Sequence, residues 1–78
     1  MTCREEILVA IREITGGSPS REFSVKEVVV HMQRKKSRYA ESTIRTHITS
    51  KLCANAPDHH ETTYDDLIRV GHGIYRLR

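Results

Sequence analysis

Arg38-Tyr39-Ala40-Glu41-Ser42-Thr43-Ile44-Arg45-Thr46-His47-Ile48 is the stretch on which the reading of this chain turns. Ile44, Ile48 and Leu52 recur every four residues, the spacing that lines one side of a helix. Ala54-Asn55-Ala56-Pro57 closes that helix, because the residue before a proline is biased away from helical geometry. A helix is therefore expected over 41–53. At 100° per residue, an inward stripe at 44, 48 and 52 turns Ser42, Thr43, Thr46, Thr49, Ser50 and Cys53 outward, with Arg45, His47 and Lys51 on the flanks. Ser and Thr lower helix propensity and pack nothing on a solvent-facing side, where Glu and Lys would serve the helix better. The outer side is thus chosen for something other than helix stability.

Upstream, Thr2 followed by Glu5 forms a capping box, and Ile7, Leu8, Ile11 and Ile14 then repeat at helical spacing, so a first helix is expected over 3–15. Gly16-Gly17-Ser18-Pro19-Ser20 ends it. Phe23, the only Phe, sits in a piece long enough for a short strand over 21–23. Ser24 and Glu27 make a second capping box, followed by Val25, Val28, Val29 and Met32. Valines favour strands, but this spacing is not alternation, so period decides for a second helix over 25–35. Downstream, a long loop leads to two strand-like runs over 67–77 around Gly71-His72-Gly73, where glycine on each side of His72 is expected to supply the positive φ angles of a tight hairpin. Leu67, Ile74, Leu77 and one or both of Ile68 and Val70 are its candidates for the core.

Seventy-eight residues predict a single domain over 1–78, with a core too small to enclose a substrate pocket, so catalysis is not expected. Apolar residues at 37% and charged residues at 29% are the mixture of a chain that folds. No apolar run approaches the roughly 20 residues that span a bilayer. The N-terminus carries two acids and runs straight into an amphipathic pattern, unlike a secretory signal, so a cytoplasmic location is expected. Cys3 and Cys53 are then two free thiols rather than a disulfide. Cys53, His59 and His60, with Cys3 or His47 as a fourth ligand, have the donor types of a zinc site. Adjacent histidines rarely hold one ion together, however, and no paired two-residue spacing anchors a site. No metal and no cofactor are expected. A Cys and His pair for nucleophilic catalysis lacks oxyanion donors and a cleft, and no glycine-rich phosphate loop is present.

Charge is uneven along the chain. Residues 34–51 hold six cations (Arg34, Lys35, Lys36, Arg38, Arg45, Lys51) against one acid, Glu41, whereas 58–66 hold four acids and no Lys or Arg. A concentrated positive field attracts polyanions better than the same charge scattered. A charge run alone is usually a solvated face; here it coincides with the hydroxyl-rich helix.

Helix, short strand, helix, helix and two-stranded hairpin is an α+β order that resembles the winged helix-turn-helix family. The helices joined by Lys36-Ser37-Arg38-Tyr39-Ala40 look like its helix-turn-helix, Ser42-Thr43-Ile44-Arg45-Thr46-His47-Ile48 resembles its recognition helix, and the hairpin resembles its wing. The segments 39–48, 53–60 and 66–71 are similar to small bacterial winged-helix domains that occur alone or joined to restriction-endonuclease-like modules. The acidic loop 54–65 departs from that pattern in length.

The resemblance implies double-stranded DNA as partner, with the third helix in the major groove, and a place on the nucleoid. Ser42, Thr43, Arg45, Thr46 and Thr49 would face base edges, Arg45 matching guanine O6 and N7. Lys35, Lys36, Arg38, Tyr39, Lys51 and His72 are the candidates for phosphate contact. The role implied is a small transcriptional regulator or the DNA-reading part of a defence or mobile-element system. Specificity would call for a homodimer or a fused or associated partner protein, and Val9 and Ala10 extend the apolar face of the first helix toward such a contact. The alternative is a winged-helix module that binds protein without DNA, against which the outer side of the third helix offers no Leu, Tyr, Trp or Met anchor. Each residue also has a plainer reading: Arg45 as a surface ion pair, Tyr39 as a core residue and His47 as a partly buried structural histidine.

Overall fold

The computed structural model describes residues 2–51 and 66–78, with the backbone alone at Ser50 and Lys51. Helix α1 (Cys3–Thr15) starts at its expected cap: Thr2 Oγ1 accepts from the Glu5 N–H at 3.2 Å, and Glu5 Oε1 accepts from the Thr2 N–H at 3.0 Å. The Thr2 N–H first, and then the Thr2 hydroxyl at 2.9 Å, donate to the Glu5 carboxylate and hold it below its ordinary pKa. Gly16, at φ 66°, ends the helix in the left-handed conformation that glycine adopts without strain. Helix α2 (Val25–Arg34) opens with the same device, Ser24 and Glu27 bonding reciprocally at 3.0 and 2.9 Å. Two of the four orphan donors at each N-terminus are thereby satisfied by local sequence.

Strand β1 is Phe23–Ser24, starting two residues later and ending one later than the expected 21–23, so Ser24 is both strand residue and helix cap. Arg21 stays in the loop, its N–H bonded to the Ser18 carbonyl at 3.3 Å, and exposed Arg21 and Glu22 have no apolar side chain to bury. Strands β2 (Leu67–Gly71) and β3 (Ile74–Leu77) form the hairpin. The hairpin does not stand apart from the short strand: the three make one antiparallel sheet in the order β1-β3-β2, with Phe23 opposite Tyr75 and Leu67 opposite Leu77. Between Arg69 and Gly71 the register slips by one residue, leaving Val70 as a bulge, 40% exposed. The bulge is why the alternation is imperfect. It also corrects the expectation for the turn, since only Gly73 has a positive φ, 71°, and Gly71 does not.

The core is assembled from every element: Ile7 and Ile11 of α1, Phe23 of β1, Val25, Val28, Val29 and Met32 of α2, Ile44 and Ile48 of the third helix, Leu67 of β2 and Tyr75 of β3. Phe23 is 1% exposed, and burying a side chain of that kind stabilises by about 1.5–3 kcal/mol. The Cys3 side chain is buried with them. Ala10 is also buried, so of the pair expected to extend the α1 surface only Val9, at 37%, remains there. Two connections, a side-chain fork and a backbone bond, tie elements far apart in sequence. Arg4 holds Asp66 in a fork, Nε to Oδ2 at 2.9 Å and Nη2 to Oδ1 at 3.1 Å, fixing the start of β2 to α1. The Val25 N–H donates to the Gly73 carbonyl at 3.1 Å, tying the hairpin turn to the first residue of α2.

The third helix is where regularity is lost. Helix α3 spans Glu41–Thr46, and His47–Lys51 continue it as π-helical turns rather than the regular α-helix expected over 41–53. Thr46 Oγ1 donates to the Ser42 carbonyl, His47 Nδ1 bonds the Thr43 carbonyl, and Thr49 Oγ1 donates to the Arg45 carbonyl, each at 2.9 Å. Side chains thus engage three carbonyls that would otherwise serve the helix alone, a competition that loosens its turns. Leu52 and Cys53, the expected end of this helix, lie outside the described residues. No helix of the described residues is long and apolar enough to cross a membrane.

Candidate nucleic-acid interface

The turn from α2 to α3 is set by backbone bonds. Ser37 N–H donates to the Met32 carbonyl at 3.1 Å and Lys36 N–H to the Gln33 carbonyl at 3.0 Å, the pair of bonds that defines a Schellman close. That motif needs a left-handed residue at its penultimate position, where glycine is usual. Here it is Lys36, at φ 58°, the one non-glycine with positive φ among the described residues. A side chain there costs about 1–2 kcal/mol. Among the described residues Lys36 is exposed and its ammonium has no side-chain partner to compensate.

Arg38 and Tyr39 form the next part of the turn. Tyr39 is partly buried against the core, its hydroxyl accepts from Arg38 Nη2 at 3.3 Å, and the guanidinium carbon lies 5.3 Å from the ring centroid. The hydroxyl contact raises the Arg38 pKa beyond its ordinary value. Tyr39 is therefore a core residue that also steers Arg38 outward.

On α3 and its π-helical continuation, Ser42, Arg45, Thr46 and Thr49 are exposed, whereas Thr43 is only partly so. Thr43 stands one helical turn before partly buried His47, on the same flank of the helix. The Thr46 and Thr49 hydroxyl protons are taken by the helix backbone, which leaves each residue its methyl group and oxygen lone pairs to present. Arg45 Nε donates to Glu41 Oε2 at 2.8 Å across one helical turn. Both side chains are exposed, and a pair of this kind adds little and opens readily. His47 is partly buried, and since a carbonyl only accepts, its Nδ1 carries the proton.

The six cations of 34–51 do not form one field. Lys35 Nζ lies 2.6 Å from both carboxylate oxygens of Glu13 on α1, beside His31 Nε2 at 2.9 Å from Oε1. The Lys35 ammonium first, and His31 second, hold the Glu13 carboxyl below its ordinary pKa. Lys35 thus belongs to the seam between α1 and α2, where Arg34 also lines a groove. Lys36 and Arg38 are the cations that the turn presents; the Lys51 side chain lies outside the described residues. His72 is exposed in the hairpin turn. Among the described residues no three His, Cys, Asp or Glu side chains cluster to hold a metal, and Cys53, His59, His60 and the loop 54–65 lie outside them.

Sequence reasoning missed the left-handed Lys36, the Glu13 cluster and the Arg4–Asp66 fork. Only the first had a local signal: once Met32 is the last buried position of α2, a Schellman close puts the left-handed residue at 36.

A family model described as a domain of unknown function, DUF7669, matches residues 4–77, and the chain belongs to that family. No curated protein and no solved structure matches the chain.

Proposed function

We propose that this chain is a winged helix-turn-helix domain that binds double-stranded DNA, with α3 entering the major groove. The observation that carries the reading is the exposed side of the third helix: hydroxyl residues, one arginine and the Glu41 paired with it, with no large apolar side chain among the described residues, entered through a turn that holds two solvent-facing cations. The element order and the sheet order β1-β3-β2 are compatible with it. Lys36 and Arg38 serve as phosphate contacts and Ser42, Arg45, Thr46 and Thr49 as groove contacts, with Thr43, Tyr39, Lys51 and His72 at the margins. Arg45 leaves Glu41 to meet a base edge, so a guanine acceptor replaces a carboxylate. The role is a regulator or the DNA-reading part of a defence or mobile-element system, on the nucleoid. It acts as a homodimer or beside a partner protein, and carries out no catalysis.

Selection from random oligonucleotides, followed by titrations at several salt concentrations, tests this. Lys36→Ala should weaken all duplexes alike and reduce the salt slope by about one. Arg45→Ala should relax preference at one or two base positions, at about 1–3 kcal/mol. The reading fails if no duplex binds in a salt-dependent way.

A further inference from the structure

Beside the Glu13 cluster, α1 and α2 enclose a groove of about 360 Å³ that no residue of α3 or of the β2–β3 hairpin lines. Its floor is apolar, from Ile14 of α1 and Val30 of α2, both partly buried. Lys26, Val30 and Arg34 stand four residues apart and so share one side of α2, with the cations' backbones about 12 Å apart at 1.5 Å per residue. Lys26 and Arg34 are exposed and have no side-chain partner among the described residues. The one acid lining the groove among the described residues, Glu27, is engaged, with Oε1 on the Ser24 N–H and Oε2 3.7 Å from Arg21. His31, on the groove's edge, is held by Glu13.

We propose that this groove docks an acidic helical segment of a partner protein, seating one apolar side chain on Ile14 and Val30 between two carboxylates that meet Lys26 and Arg34. Charge complementarity selects the occupant. A single small carboxylate reaches one cation, whereas carboxylates four residues on either side of an apolar anchor reproduce the spacing of α2 itself. Nucleic acid fits less well, since phosphates leave the apolar floor of Ile14 and Val30 unmatched. Because α3 takes no part, the site works whether or not the DNA reading holds, and an occupied groove leaves the hydroxyl side of α3 open.

The test is a titration of the full chain with a helical alanine-based peptide carrying Glu, Leu and Glu at four-residue intervals, followed by the methyl resonances of Ile14 and Val30. Saturable shifts at both residues are expected, at least about tenfold weaker for the peptide with Gln in place of Glu. The double variant Lys26→Glu, Arg34→Glu, at two exposed positions, should lose the Glu peptide and gain one flanked by Lys. The proposal is overturned by unmoved Ile14 and Val30 methyls at millimolar peptide, or by equal binding of the Gln peptide. Displacement of the peptide by a random-sequence duplex also overturns it, by making the groove a nucleic-acid surface.

Discussion

The helix pair α1 and α2 and the third helix follow opposite rules within one small chain. Both members of the pair begin with complete capping boxes. They carry broad buried stripes and are joined by the Glu13, His31 and Lys35 cluster. The third helix begins at Ala40 with no side-chain cap, buries Ile44 and Ile48, and widens into π turns. Its exposed residues bond its own carbonyls. The lesson is that the pair is built to hold and the third helix is held: tertiary burial of two isoleucines, not local helix chemistry, keeps its outer side in place. That frees the outer side for residues a stable helix would not select.

The strongest way to break this contrast is to remove what both parts lean on. Phe23→Ala should cost about 3–5 kcal/mol, comparable with the whole stability of a domain this size, and abolish the cooperative urea transition. A variant that kept its transition would show that the helices do not share one core. Next come the caps. Ser24→Ala should lower stability by about 1 kcal/mol, while Ala40→Ser should raise it by about 0.5–1 kcal/mol by supplying the absent cap. An unchanged denaturation midpoint for Ala40→Ser would mean that α3 is satisfied by other groups. Lys36→Gly sharpens the comparison from the functional side. Relief of its left-handed backbone should add about 0.5–1 kcal/mol, while duplex binding falls. Gains in both would remove the reason for a lysine there.

Smaller still is Thr49→Ala, which frees the Arg45 carbonyl and should move the Cα shifts of 47–51 toward ordinary α-helical values, with a stability change of a few tenths of a kcal/mol. Persistent π-type shifts would place the cause elsewhere. The smallest effect concerns acid. Glu13 is held below its ordinary value of 4.5 by Lys35 and then His31. Its contribution is therefore full above the unfolded-state value and is lost as pH falls through the depressed folded one. Glu13→Gln should flatten the stability profile in that window and leave it unchanged near neutrality in slope, read by urea midpoints across acidic pH.

What was legible in the sequence follows the same division. The α1 and α2 ranges and both capping boxes could be read because each rests on residues three or four apart, so 3–15 and 25–35 meet Cys3–Thr15 and Val25–Arg34. The hairpin over 67–77 was legible from its glycines, but its bulge at Val70 was not, because register is settled by the partner strand. On α3 the side facing inward was legible at Ile44 and Ile48. The π turns were not, since Thr46 and Thr49 decide between solvent and their own backbone only once the helix exists. Lys35 read as a free cation because its partner Glu13 is 22 residues away.

The bond from the Val25 N–H to the Gly73 carbonyl has a consequence for the order of synthesis. A helix whose sequence is complete at residue 34 acquires the acceptor for its first amide, and the strand beside its cap, only when residues 73–75 leave the ribosome. The locally encoded pair therefore waits for the later-made hairpin, and the domain should fold as one cooperative event rather than helix by helix.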